Sequence, residues 1–260
     1  MDSSSNKHYH EDGFDSRESL ENYYSAKTAK FFQEDALLFP IENLAKTFSE
    51  GHIKGDVLID FSAGPLVHHL YAACEFFEHI IVLKVSDRCI MELKRWADER
   101  TGAFDWGHAT KLHVDMEGKS YQLKDKEQKV RSALHHVVKC DLEKENMMDP
   151  IVLPPADCVI SVWLLDFISK DKDDYIKYLR KFSKLLKPGG HIIIIGDLET
   201  TYIKIGKDTL HMLNYEEDFV RKSLAGEGFI IDCCYTKKRM IVNDLCDCKG
   251  LIYIVAHKEK

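Results

Sequence analysis

The sequence predicts an α/β protein, a mostly parallel sheet with helices on both faces. Short, wholly apolar runs recur along the chain, among them Val57-Leu58-Ile59, Ile80-Ile81-Val82-Leu83 and Ile192-Ile193-Ile194-Ile195. Strands buried on both faces read in this way. Segments with helical spacing separate the runs, as βαβ units require. Asp60, Lys84, Asp141, Trp163 and Asp197 stand at or near the ends of such runs. Right-handed crossovers bring those ends to one edge of the sheet, where ligands bind at the switch in strand order.

Residues 1–13 read as a loose, flexible tail and 14–260 as a single domain, since a chain of 260 residues suits one large core. Leu20, Tyr23 and Tyr24 lie at helical spacing within 16–30, and Ser16 and Ser19 offer capping groups. A second helix is predicted over 34–49 with Ala36, Leu37, Leu44 and Phe48 inward. Residues 55–65 then read as a strand ending on Asp60, a small-residue turn, and a helix from Pro65 to about residue 77. Proline suits the first helical position because its missing N–H had no partner there. Such a turn lets a ligand approach the backbone, with free N–H groups and the helix dipole facing it.

A second strand is predicted over 79–85, followed by a helix that Ser86 caps, with Asp87 in its first turn and Leu93 and Trp96 in its body. Residues 101–137 are polar and read as a helical insertion. Further strands are expected over 136–142, 154–163 and 191–197. A helix over 172–186 stops at Lys187-Pro188-Gly189-Gly190. A helix over 216–226 leads to last strands at 229–235 and 250–256.

Composition narrows the function. Hydrophobic residues at 45% and charged ones at 30% are ordinary for a folded domain. A net charge of −7 without a long Lys/Arg run argues against nucleic-acid binding by counterion release. The polar N-terminus carries no secretory leader, and no stretch nears the ~20 apolar residues of a membrane span. A cytoplasmic protein without a membrane partner is expected. The eight cysteines then read as reduced thiols, mostly small core residues. Cys233-Cys234 and Cys246-Asp247-Cys248 lack zinc-site spacing, so no metal is expected.

The acid ending the first strand, the loop closing on Gly64-Pro65, Asp141 after the third strand and Leu186-Lys187-Pro188-Gly189-Gly190 before the fifth resemble a class I S-adenosylmethionine-dependent methyltransferase. Leu20-Glu21-Asn22-Tyr23-Tyr24, Gly102-Ala103-Phe104-Asp105-Trp106, Pro154-Pro155-Ala156-Asp157-Cys158-Val159 and Lys249-Gly250 narrow the likeness. They resemble the small-molecule amine methyltransferases that include nicotinamide, indolethylamine and phenylethanolamine N-methyltransferases. The resemblance runs from about Phe14 to the C-terminus. It implies a Rossmann-like, seven-stranded sheet with N-terminal lid helices over 14–50, and a monomeric cytosolic enzyme. That enzyme would move a methyl group from S-adenosylmethionine to a nitrogen, or related heteroatom, of a small amine or heteroaromatic acceptor. By this resemblance Tyr24, Asp60, Ser62, Gly64, His68, Lys84, Asp87, Asp141 and Leu142 would bind the cofactor. Asp166 and Glu199 would be catalytic, and Asp197 and Asp247 would bind substrate. The donor's positive sulfur already activates its methyl group, so the protein mainly positions and desolvates. A carboxylate near the amine can hold it and take its proton.

The chain also departs from the family pattern. Ser62 stands where the first loop glycine belongs, and serine at φ > 0 would cost about 1 kcal/mol. Lys84 replaces the acid that accepts the ribose hydroxyls, and an ammonium has donors but no acceptor. Asp87 could supply that contact from the next helix. Cys89 replaces an asparagine, Ser19 a lid tyrosine, and Val162 and Trp163 stand where residues are usually smaller or polar. A second reading follows, in which the methyltransferase fold is kept as a binding or regulatory module. An NADP-dependent reductase would suit Lys84 and Arg88, but 62–67 lacks the G-x-G-x-x-G spacing. Base methylation of nucleic acid needs a Pro-Pro pair at the strand exit beside the flipped base, and Pro154-Pro155 precede their strand.

Overall fold

The structure, a computed structural model, describes residues 6–10, 14–28, 32–119, 122–134, 136–239 and 243–259. Helix α1 (Ser16–Tyr23) is capped by Asp15, whose carboxylate accepts from the Glu18 N–H at 2.9 Å; the two serines expected as caps lie inside the helix and are buried. Residues 29 and 30 of the predicted helix lie outside the described residues. A π-helical stretch (Gln33–Leu38) runs into α2 (Phe39–Ser49). Ala36, Leu37, Leu44 and Phe48 are buried along it, as their spacing predicts.

Strand β1 (Gly55–Asp60) follows. The chain does not enter a helix at Pro65. It stays beside the neighbouring strand, with Phe61 N–H donating to Ile160 O at 2.7 Å and Ala63 N–H to Val162 O at 2.8 Å. Helix α3 is therefore only Leu70–Ala73, and Phe77 already belongs to β2 (Phe77–Lys84). Helix α4 (Asp87–Ala97) buries Cys89, Leu93 and Trp96 along one face, while Ser86 makes no side-chain cap. Helices α5 (Gly107–Met116) and α6 (Leu123–Ala133) occupy the stretch read as an insertion. Then come β3 (His136–Lys139), β4 (Ala156–Val162), a short α7 (Leu164–Ile168) and α8 (Lys172–Lys184). The terminator Lys187-Pro188-Gly189-Gly190 is itself the start of β5 (Leu186–Leu198).

A hairpin of β6 (Tyr202–Ile205) and β7 (Asp208–His211) was not legible in the sequence. Helix α9 (Glu217–Gly226) leads to β8 (Phe229–Lys238) and β9 (Gly250–Lys258). Seven strands form one sheet in the order β3-β2-β1-β4-β5-β9-β8. The first five are parallel, β9 is antiparallel to β5, and β8 is antiparallel to β9. Strand order reverses between β1 and β4, so the crevice outside their C-terminal ends is where this topology places a ligand.

The central strands are buried on both faces; Ile192 to Ile195 and Leu251 to Ala256 are all nearly inaccessible. Each such aliphatic side chain contributes roughly 1.5–3 kcal/mol of burial. Part of the segment read as a loose tail is docked: Lys7 N–H donates to Thr209 O at 3.1 Å, and Lys7 O accepts from His211 N–H at 2.6 Å. All eight cysteines are free thiols, four of them buried. Among the described residues no helix is long and apolar enough to cross a membrane.

Candidate active site

The loop after β1 builds one wall of the crevice. Asp60 is fully buried. Its Oδ1 accepts from Ser62 Oγ at 2.5 Å and faces His69 Nε2 at 2.9 Å, and its Oδ2 lies 3.8 Å from Lys84 Nζ. Burial alone would raise this carboxyl, but His69, Lys84 and the hydrogen bonds outweigh burial and hold it below the usual carboxylate range. Ser62 is not left-handed; in the loop that conformation falls to Gly64, at φ 62°. The strain expected at position 62 is therefore absent, and the serine hydroxyl turns down onto Asp60 rather than into the ligand's path.

Lys84, at the end of β2, points inward. It is 1% exposed and donates to Ser62 O at 2.6 Å. Its charge is used within the protein, so it does not stand ready as a ligand contact. Asp87 does not replace it, because its carboxylate is exposed and pairs with Lys139 at 2.5 Å. Tyr9, from the docked N-terminal segment, accepts from the Gly64 N–H at 2.8 Å and lies 3.5 Å from Cys89 Sγ. Its ring packs on Phe14 and Phe167. Nothing in the sequence marks this residue, which lies in a polar stretch without periodicity.

The other half of the crevice is aromatic. The His68 ring stacks on Trp106 at 5.5 Å and lies 5.5 Å from Tyr24 and 6.4 Å from Trp163. His68 is 1% exposed, and both of its ring nitrogens lack a hydrogen-bond partner. Burial first, then neighbouring His69 and His108, keeps this imidazole neutral. Trp163 sits in the left-handed region at φ 57°. Its indole N–H donates to Asp197 Oδ1 at 2.9 Å, and its backbone N–H to Ile195 O at 2.7 Å.

Tyr23, Tyr24, Phe32, Trp163, Asp197 and Arg239 are among the residues lining a mostly apolar cleft with about 70 Å³ of free volume. Helix α1 covers the cleft and is fixed by Tyr23, whose hydroxyl donates to Lys204 O at 2.6 Å on the hairpin. Arg239, also unmarked by the sequence, pairs with Asp35 at 3.2 Å.

The strand-end acids separate into two groups. Asp197 lines the cleft, and burial pushes its carboxyl up to about 6 against the opposing pull of Arg239 and the Trp163 hydrogen bond. Asp166 does not reach the cleft. It is 1% exposed, accepts from Asp197 N–H at 2.9 Å and from the Tyr215 hydroxyl, and is raised by burial and by Asp197. Gly196 permits this packing, since a Cβ there would lie 2.3 Å from the Tyr215 hydroxyl. Glu199 points to the surface and pairs with Lys249 at 2.9 Å. Asp247 is committed to the backbone, accepting from Thr201 N–H at 2.8 Å, Tyr202 N–H at 3.2 Å and the Thr201 hydroxyl at 2.6 Å. In this structure Asp166 and Asp247 thus spend their carboxylates on internal hydrogen bonds and Glu199 on a surface ion pair, whereas Asp197 lines the cleft. Backbone N–H groups near strand ends attract carboxylates whether or not a ligand is bound, so position alone does not separate the two uses. After β3, Asp141 closes a turn through Glu143 N–H at 3.0 Å, and the Leu142 side chain is buried beside it.

With this geometry in place, comparison with known proteins is decisive. A family model described as the NNMT/PNMT/TEMT family matches residues 3–259. The chain belongs to that family. Human nicotinamide N-methyltransferase is 33% identical over 245 residues, covering 94% of this chain and 93% of that one. Rabbit (Oryctolagus cuniculus) indolethylamine N-methyltransferase is 32% identical, with 94% and 92% covered. Human phenylethanolamine N-methyltransferase is 30% identical, with 94% and 89% covered. Among solved structures, magnesium protoporphyrin IX methyltransferase from Synechocystis PCC 6803, with S-adenosylmethionine bound, superposes with a TM-score of 0.58 at 12% identity, covering 96% and 93%. At that identity the likeness speaks for the fold, the methyltransferase form of the Rossmann-like sheet.

Proposed function

We propose that this protein transfers the methyl group of S-adenosylmethionine to a nitrogen, or related heteroatom, of a small-molecule amine or heteroaromatic acceptor. Family membership across residues 3–259 carries this reading. Buried polar atoms behind the cleft wall support it: Asp60 Oδ2 and both His68 nitrogens have no hydrogen-bond partner, and orphaned groups of this kind are rare in a folded interior. Tyr24, Asp60, Ser62, Gly64 and His68 would hold the cofactor from the loop side, and Asp141 and Leu142 from the end of β3. Lys84 would act on this set indirectly, by holding Asp60 and the Ser62 carbonyl in place, and Asp87 pairs with Lys139 at the surface. When bound, the cofactor supplies a methyl group already activated by its positive sulfur.

The chain's own residues would then do the rest. Tyr24 and Trp163, backed by Trp106, would shield the reacting groups from water. Asp197, poised near neutrality, would hold the acceptor amine and take up its proton at the carboxylate. Asp166 and Tyr215 would fix the backbone of Asp197. The enzyme would act in the cytosol as a monomer, without nucleic acid.

Two observations favour a second reading, a binding or regulatory module without turnover. Lys84 neutralises Asp60 from inside, and the Tyr9 hydroxyl already occupies the Gly64 N–H. Calorimetric titration with S-adenosylhomocysteine, followed by a tritiated-methyl assay with nicotinamide, tryptamine and phenylethanolamine, separates the readings. Binding with labelled product is the result expected of the enzyme. Binding without product selects the module, and no binding at millimolar ligand would sink the enzyme reading.

A further inference from the structure

A second cluster of chemically capable side chains lies at the opposite end of the sheet from the cleft. His191, near the start of β5, is directly paired across the strands with His257 of β9. Along β5 the distance from His191 to Asp197 is about 20 Å at the usual strand rise. Asp232 of β8 is the inserted residue of a bulge between the pairs Ile231–Ala256 and Cys233–Val255. Bulges re-aim side chains at sheet edges, and here the carboxylate lies over both imidazoles. Asp232 Oδ1 is 2.7 Å from His257 Nδ1, and Oδ2 is 3.9 Å from His191 Nε2. One ligand atom from each of the three residues can be chosen so that all lie within 4.8 Å of one another. His52, on the loop before β1, sets its ring edge-on to His191 at 5.9 Å.

We propose that His191, Asp232 and His257 bind one divalent transition-metal ion, with zinc the occupant their chemistry favours. Two imidazoles and a carboxylate form a nitrogen/oxygen set of the kind zinc takes, with bonds of about 2.0–2.2 Å. Bonds of that length put ligand atoms about 3.3 Å apart, which ordinary side-chain rotations reach from the present spacing. All three side chains are partly buried and partly open, at 19%, 30% and 31% exposure, so an ion can enter and a fourth position stays accessible.

The ligands come from three neighbouring strands, and β8 is the outer strand of the sheet. The ion would therefore tie a free edge to the buried centre. That edge carries exposed apolar residues, Ile230 at 47% and Tyr235 at 38%, and unprotected edges of this kind invite pairing with other chains. The site is structural and plays no part in methyl transfer.

The test uses the full-length, tag-free chain stripped with a chelator and titrated with zinc and with cobalt(II). Expected are one equivalent of zinc in competition with a chromophoric chelator, visible cobalt bands without the intense near-ultraviolet absorption of thiolate ligation, and a higher melting temperature with zinc. Asp232→Asn and His257→Gln should each weaken zinc affinity by roughly tenfold or more while the methyltransferase cleft keeps its ligand response. Absence of zinc uptake by the wild-type chain overturns the site. So does a thiolate signature in the cobalt spectrum, which would assign the ion to cysteines such as Cys233. The cobalt spectrum is read on the wild-type chain, so it decides between these outcomes even if a variant fails to fold.

Discussion

The two halves of the cleft are built on opposite principles. On one side Asp60, Ser62, His69 and Lys84 satisfy one another, and Tyr9 closes the Gly64 N–H. On the other, His68 is buried with both nitrogens unpartnered, and Asp197 is held near its protonation point. The first half is mostly satisfied internally, with Asp60 Oδ2 and His69 Nδ1 its atoms lacking a hydrogen-bond partner among these groups; the second is not. Family membership accounts for the shape of both halves. The state of their polar groups is what distinguishes a wall from a binding surface.

The contrast between the halves is most exposed at Lys84. Lys84→Met would leave Asp60 buried with only Ser62 and His69 as partners, and losing one member of a buried pair costs about 3 kcal/mol or more. Melting should fall by roughly 10 °C in a domain of this size. An unchanged melting temperature would mean that the inward pair contributes nothing. On the open side, Asp197→Asn should lower kcat/KM for an amine acceptor by about 10²-fold.

The pH dependence of that activity follows from the same residue. The Asp197 carboxyl sits at about 6, above its value of about 3.9 in an unfolded chain. Activity that needs the carboxylate should therefore rise as pH passes through 6. The stability that the protonated form lends the fold, present below about 4, is lost over the interval between those two values. The asparagine variant should show neither inflection; a wild-type profile flat across this range would remove Asp197 from the chemistry.

The smallest expected effect is at Tyr9. Tyr9→Phe strips the Gly64 N–H of its acceptor and should cost about 1 kcal/mol in denaturant unfolding. If stability is unchanged, the N-terminal segment is an accessory to this wall and not a part of it.

The sheet was legible in the sequence because its strands are continuous apolar runs, and a doubly covered strand has no other way to be written. The short hairpin was not. Tyr202-Ile203-Lys204-Ile205 and Asp208-Thr209-Leu210-His211 are only partly buried, and the four-residue strands leave too little pattern to read. The chain runs beside β4 as far as Ala63, and the helix expected from Pro65 forms only over Leu70–Ala73. The acids at the sheet edge were legible as a group. Asp197 faces the cleft, whereas Asp247 and Asp166 serve nearby backbone N–H groups. That sorting depends on which donors the fold brings to within hydrogen-bonding reach of each carboxylate. The missed residues Tyr9 and Arg239 reach the cleft from segments distant in the chain, where only folding could have shown their use.

The unusual backbone of Trp163 has a consequence for observing this protein at work. An aromatic residue held at φ 57° stores about 1–3 kcal/mol of strain, and its indole is tethered to the carboxylate that an acceptor would claim. Of the three tryptophans in the chain, Trp106 and Trp163 flank His68, whereas Trp96 is stacked under Arg131 at 4.4 Å. Trp163 lines the cleft itself, Trp106 lies one ring behind it against His68, and Trp96 stands apart from both. The molecule carries its own optical gauge of occupancy, readable without label or coupled assay.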